Sequence, residues 1–236
     1  MLDIQATKTP ESTVAQAVSE YISSRAGAPT LLMIAGGSLP ETVLPHIDQR
    51  ILTPQLTISI FDERCTEDES GLNELQLQAT PFYDAAKVAG AQFLDVVVGD
   101  QGSCPMVAAD WESRMREWQG QHPDGEIVVL AGVGADGHIA GILCHTPEET
   151  PIFTSKEWIV AHHFVATDNP YPYRITPTFT FWQKVVATSF IYMSGTEKAA
   201  ALKAIQADDG NLATTPGRVL NTLSGSVVLF TDSVEG

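Results

Sequence analysis

The chain has 236 residues, of which 44% are hydrophobic and 18% charged, enough to bury one sizeable core and unlike a disordered chain, a coiled coil or a collagen-like repeat. Thirteen Lys+Arg against 29 Asp+Glu give a formal charge of −16, the wrong sign for neutralising nucleic-acid phosphates or anionic lipid, so neither nucleic acid nor a membrane is expected as a partner. The opening MLDIQATKTPEST lacks the basic start and apolar stretch of a signal peptide, and no run approaches the roughly 20 apolar residues that span a bilayer. A cytoplasmic protein is expected. Cys65, Cys104 and Cys144 are odd in number, widely spaced and without a CxxC pair, which points away from a disulfide framework or a structural zinc site.

In chain order, Glu11–Arg25 reads as the first helix, with Val14, Val18, Tyr21 and Ile22 on one face behind a Thr9-Pro10 start. Short β-type runs follow at Thr30–Ala35, Leu56–Asp62, Phe93–Val98, Glu126–Ala131, Trp158–Val165, Thr188–Ser194 and Ser226–Thr231. They are rich in Val, Ile, Leu and Phe and alternate weakly, as strands covered on both faces do. Met106–Gln119 and Thr196–Ala207 have helical length and composition. The alternation predicts a three-layer α/β/α fold with a mainly parallel, Rossmann-like sheet. With no internal repeat and no long Gly/Ser/Pro linker, residues 1–236 are expected to form a single domain. Asp168–Pro172 (DNPYP) is the strongest loop signal, and the acidic run Glu67-Asp68-Glu69 is a second.

Five segments could carry chemistry. Ala35-Gly36-Gly37-Ser38-Leu39-Pro40 follows a predicted strand and precedes a helical pattern. Its glycines permit close backbone approach to an anion at a helix N-terminus, or it is a tight turn with Ser38 as N-cap. Phe61-Asp62-Glu63-Arg64 ends the second β run, where an open α/β sheet places its ligand crevice; the alternative is a solvated turn. Leu130–Ala140 contains GxGxxG in Gly132, Gly134 and Gly137, but Asp136 would face a pyrophosphate and no acid follows at the end of a clear next strand, so a dinucleotide site is rejected. The same loop sets the His138 imidazole beside Asp136, where general-base chemistry would place it. His122, His162 and His163 read as structural or surface residues, and His46 and His145 as ambiguous. Arg174 opening a β run and Lys198 at a post-strand helix start are candidate phosphate contacts in a chain so poor in cations, or ordinary surface residues.

Together these segments resemble the 6-phosphogluconolactonase family, in the superfamily that also holds glucosamine-6-phosphate deaminases. The resemblance is carried by AGGSLP at 35–40, FDER at 61–64 with Asn73 following, LAGVGADGH at 130–138, YRIT at 173–176 and SGTEK at 194–198. It implies that Gly36, Gly37 and Ser38, with Arg174 and Lys198, cradle a substrate phosphate. It further implies that Asp62 and Arg64 line the sugar-acid pocket, that His138 is the general base and that Asp136 orients it or supports the loop. The activity implied is hydrolysis of 6-phospho-D-glucono-1,5-lactone to 6-phosphogluconate, a step of the oxidative pentose phosphate pathway. It needs no metal or organic cofactor, its partner is the phosphorylated sugar lactone, and the protein is expected as a monomer or small homo-oligomer.

Two other readings of the resemblance are a glucosamine-6-phosphate deaminase/isomerase and a non-catalytic sugar-phosphate-binding member. Deaminases carry an acid five residues after the histidine, where this chain has Leu143, and usually an aromatic where it has Arg64; Ile139-Ala140 leans toward the deaminases. The chain departs from the family at Leu39, where a hydroxyl residue is usual, in the displaced Asn73, at Pro177, expected to interrupt the RIT strand, and at Pro216-Gly217-Arg218.

Overall fold

The computed structural model describes residues 2–25, 27–99, 103–164 and 168–233. Among them the first half of the chain runs β1 (Leu2–Ala6), α1 (Pro10–Ser24), β2 (Thr30–Ile34), α2 (Leu39–Thr42), β3 (Leu56–Ile60), β4 (Glu63–Arg64), α3 (Asn73–Gln78), α4 (Pro81–Val88), β5 (Gln92–Phe93) and α5 (Cys104–Gln121). The second half runs β6 (Glu126–Gly132), α6 (Pro151–Thr154), β7 (Ile159–His163), β8 (Tyr173–Pro177), α7 (Phe179–Lys184), β9 (Val186–Met193), α8 (Ala199–Gln206) and β10 (Ser226–Thr231).

The central sheet has seven strands in the order β1-β10-β9-β6-β2-β3-β5, and its pairings are parallel. All five residues of β2 and of β3 are buried, as strands covered on both faces require. Phe190 of β9 meets Tyr21 of α1 at a ring-centroid distance of 5.7 Å. The preceding Ser189 receives the Trp182 indole N–H of α7 at 2.9 Å. Successive strand residues point to opposite faces, so α1 and α7 lie on opposite sides of the sheet. From α5, Trp118 donates to Thr57 of β3 at 2.9 Å.

The predicted strand at Trp158–Val165 takes another course. Its core, β7, joins a small antiparallel sheet of order β4-β8-β7. Burial falls along it from Ile159 to an exposed His163, the mark of a strand with a solvated side rather than one enclosed on both faces; Val165 lies outside the described residues. The run expected over Phe93–Val98 shortens to the two residues of β5 at the sheet edge. β1, at the opposite edge, was not anticipated because its residues are mostly exposed or half-buried. Pro177 ends β8 rather than interrupting it, since a terminal proline removes no interior ladder bond.

The cysteine expectation needs correction: Cys65 and Cys104 form a disulfide with Cα atoms 6.1 Å apart. The fold brings the residue after β4 against the start of α5, which spacing along the chain cannot show. The bond also removes the cysteine argument for a reducing compartment. Among the described residues no helix is long and apolar enough to cross a membrane.

From β2 the chain moves outward to β3 and β5, then returns to β6 on the other side of β2 and continues outward to β9 and β10. Strand order therefore reverses between β2 and β6, and in open α/β sheets ligands bind at such a switch point, beyond the carboxyl ends of the strands.

Candidate active site

Four adjacent strands, β3-β2-β6-β9, deliver the sequence-predicted residues to that crevice. Gly36, Gly37 and Ser38 follow β2, Asp62 follows β3, Gly134 and His138 follow β6, and Lys198 follows β9. Arg174 arrives from β8, directly opposite Arg64 of β4 in the antiparallel register. All of these residues line one cavity of about 310 Å³, at the small end of the range for ligand sites. Asp136 does not line it but binds His138 from behind. None of the other five histidines lines the cavity; His122, His162 and His163 pack their rings on Trp118, Phe164 and Tyr173.

No helix follows the glycine-rich segment after β6, which instead folds back through isolated bridges between Val133 and Ile139 and between Ile139 and Ile142. The Asp136 Oδ1 lies 2.6 Å from Nδ1 of His138 and accepts the His138 backbone N–H at 3.1 Å. The carboxylate thus accepts a hydrogen bond from Nδ1–H, which keeps the proton on Nδ1 and leaves Nε2 with the basic lone pair. The same hydrogen bond is the main cause holding the Asp136 carboxyl down at about 2. Gly134 must lack a side chain, because a Cβ there would stand 2.1 Å from Nδ1 of His138. The loop is braced from outside: Gly217 N–H donates to Gly137 O at 2.9 Å and His145 N–H to Ala213 O at 2.6 Å.

The cations differ in how they are held. Arg174 is 5% exposed; its Nε donates to Tyr171 O at 2.7 Å and its Nη2 to Asn169 Oδ1 at 3.0 Å. Its Nη1 faces Asp62. Burial pushes the Asp62 carboxyl up, opposed by Arg174, Arg64 and His138. Burial pulls the Arg174 guanidinium down, opposed chiefly by Asp62. Lys198 is half-buried over the Tyr192 ring, with Nζ 5.9 Å from its centroid, and burial lowers its pKa against the pull of Glu197 and Asp232.

Ser38 does not cap: its side chain makes no capping hydrogen bond, and α2 is a single turn of four residues. A helix that short has little macrodipole, so what Gly36, Gly37 and Ser38 bring to the cavity they line is short-range contact rather than a helix field. Leu39 is 1% exposed. Asn73, to which no role was assigned from sequence, donates from Nδ2 to Asp62 O at 2.8 Å. Its carboxamide fills the space a side chain at Gly36 would need, with Oδ1 only 1.9 Å from an added Cβ. This clamp sets the spacing between the glycine turn and Asp62. Asn169 also lines the cavity; its place in the DNPYP loop was the only sequence signal for it.

No curated protein sequence matches the chain. Solved structures with the same architecture include a 6-phosphogluconolactonase from Shewanella baltica OS155, 20% identical over 98% of this chain and 97% of that one with a TM-score of 0.70. Another, from Trypanosoma cruzi, is 19% identical over 98% of this chain and 94% of that one, with a TM-score of 0.75. A third, from Trypanosoma brucei, is 19% identical over 99% and 97%, with a TM-score of 0.72. At these identities the likeness is one of fold. The family described as glucosamine-6-phosphate isomerases/6-phosphogluconolactonase matches residues 5–229, nearly the whole chain, and the protein belongs to it.

Proposed function

We propose that this protein hydrolyses 6-phospho-D-glucono-1,5-lactone to 6-phosphogluconate, with His138 as general base. The observation that carries the reading is the Asp136–His138 pair at 2.6 Å on the same cavity as Arg64, Arg174 and Lys198. Nε2 of His138 takes a proton from water as the oxygen attacks the lactone carbonyl, and Asp136 stabilises the imidazolium that forms. Arg64, beside Asp62, offers positive charge to the developing oxyanion. The carbonyl–ring oxygen bond then breaks, and the imidazolium returns its proton to the departing ring oxygen. Lys198, Arg174 and the Gly36–Ser38 segment hold the phosphate away from the reacting carbon.

The deaminase reading asks for an acid at position 143. Leu143 there is 3% exposed and part of the core, so no carboxyl stands at that position. A binding-only member would have no need of the oriented His138–Asp136 pair. The test is proton release from freshly generated 6-phosphogluconolactone beside ammonia release from glucosamine 6-phosphate. Hydrolysis of the lactone above its spontaneous rate is expected; ammonia release alone would reverse the assignment, and neither activity would leave the binding-only reading.

A further inference from the structure

Two loops conspicuous in the sequence, the acidic run 67–69 and DNPYP at 168–172, meet beside the site. The Tyr171 hydroxyl donates to Asp68 Oδ2 at 2.8 Å. Asp68 Oδ1 in turn accepts the Ser70 N–H at 3.1 Å, capping the 3-10 turn Glu69–Gly71. The Tyr171 ring packs against that turn: a Cβ at Gly71 would stand 2.6 Å from Cε1 and Cζ of the ring. Gly71 O accepts Nη1 of Arg64, and the Arg64 guanidinium carbon lies 5.5 Å from the Tyr171 ring centroid, within range of a cation–π contact. The Tyr171 carbonyl holds Nε of Arg174 at 2.7 Å. One residue thus touches both guanidinium groups of the cavity, by its ring and by its main chain, and its hydroxyl is tied to the turn that holds one of them.

We propose that Tyr171 is a positioning residue, clasped by Asp68, whose ring aims Arg64 into the substrate cavity. The inference rests on the function proposed above. Arg64 makes its Nη1 bond to a main-chain carbonyl on a surface turn, and without the ring beside it the long side chain regains rotamers that point elsewhere. The ring fixes one of them.

The test is a double-mutant cycle on kcat/KM for 6-phosphogluconolactone, using Tyr171→Leu, Arg64→Met and the pair together. Tyr171→Leu is expected to lower kcat/KM roughly 3- to 30-fold, the span of a partly desolvated cation–π contact. Tyr171→Phe and Tyr171→Trp, which restore a ring, should recover most of it. In the Arg64→Met background Tyr171→Leu should cost nothing further, because the side chain it aims is gone. Full multiplicative losses, or equal losses for Leu, Phe and Trp, would overturn the proposal in favour of a general packing role. If Tyr171→Leu does not fold, Tyr171→His, a poorer platform of similar shape, takes its place in the cycle. The same cycle read on 6-phosphogluconate and glucosamine 6-phosphate binding by calorimetry keeps the question separate from the activity. Wild type that fails to hydrolyse the lactone sinks the function, whereas additive binding losses sink the clasp.

Discussion

Nη1 of Arg174 lies 3.8 Å from Oδ2 of Asp62, with the two side chains 7% and 5% exposed, and this pair ties the carboxyl end of β3 in the central sheet to β8 in the small one. Removing one partner of a buried pair leaves the other charge in a poor dielectric and costs about 3 kcal/mol. Arg174→Met should therefore lower stability by roughly that amount in urea melts at about pH 8. Burial already raises the Asp62 pKa, and losing Arg174 raises it further. The folded variant then keeps a proton that the unfolded chain releases near its ordinary carboxylate pKa, so the loss should be smaller at about pH 5. An equal loss at both pH values would mean that Asp62 does not respond to Arg174.

His138→Ala should reduce kcat by on the order of 10²–10⁴ with KM little changed, as removal of a general base does. Asp136→Asn tests the tautomer separately. An amide there can donate to Nδ1 and so leave the proton on Nε2, where it blocks base catalysis; a comparable fall in kcat is expected. Both are read from proton release. Near-normal turnover of His138→Ala would shift the base role to Asp62.

Much of this was legible from strand ends alone. β2, β3, β6 and β9 are apolar runs long enough to read, and each is followed by the residues that meet in the cavity, so post-strand position placed Gly36, Asp62, His138 and Lys198 in one crevice. What was hidden depends on contacts across the chain. Asn73 stood out only as part of the resemblance, and its task was not readable because its partners, Asp62 O and Gly36, lie on two other segments. Asp232 meets the Ser194–Gly195 turn only through the fold, and the Cys65–Cys104 bond joins residues 39 apart. Of the two readings open for Ser38, the structure bears against the cap: the helix after it is one turn long and takes no capping bond from it.

Glu63 is fully buried and accepts N–H groups from Arg64, Asn73 and Glu74 at 2.6, 2.7 and 2.8 Å. Burial nevertheless pushes its carboxyl up to about 7, and Glu74, beside Asp95, is likewise raised to about 7. In the unfolded chain both lose their protons near the ordinary Glu value of about 4.3. Between about pH 4.3 and 7 the folded state holds protons the unfolded state has released, so stability falls as pH rises through that window and levels off above it, with a slope of up to about 1.4 kcal/mol per pH unit for each group. Glu63→Gln should lower stability overall, by misplacing an amide N–H among three donors, while removing about one group's share of that slope. Denaturation at several pH values across the window checks it; an unchanged slope would show that Glu63 titrates alike in both states.

A chain of net charge −16 repels a dianionic substrate at long range, so phosphate affinity must come from cations focused on one spot. Lys198, which lines the cavity, is the cation proposed for that role. Its loop is fixed from the end of β10, where Asp232 Oδ1 accepts Gly195 N–H at 2.9 Å and Oδ2 accepts the Ser194 hydroxyl at 2.8 Å. Ser233 Oγ adds a bond to Gly195 O at 2.7 Å. Its ammonium carries a lowered pKa because burial strips its water, which makes a dianion a strong replacement for the lost hydration. Losing one charge-assisted contact costs about 1.5–3 kcal/mol, so Lys198→Ala should cut kcat/KM on the phosphorylated lactone roughly 10- to 150-fold. Asp232→Ala, which frees the loop but keeps the charge, should give a smaller loss of the same kind. On unphosphorylated gluconolactone, which never engages the anchor, both variants should stay close to wild type. Equal losses on the two lactones would place the phosphate elsewhere in the cavity and leave Lys198 as a packing residue over Tyr192.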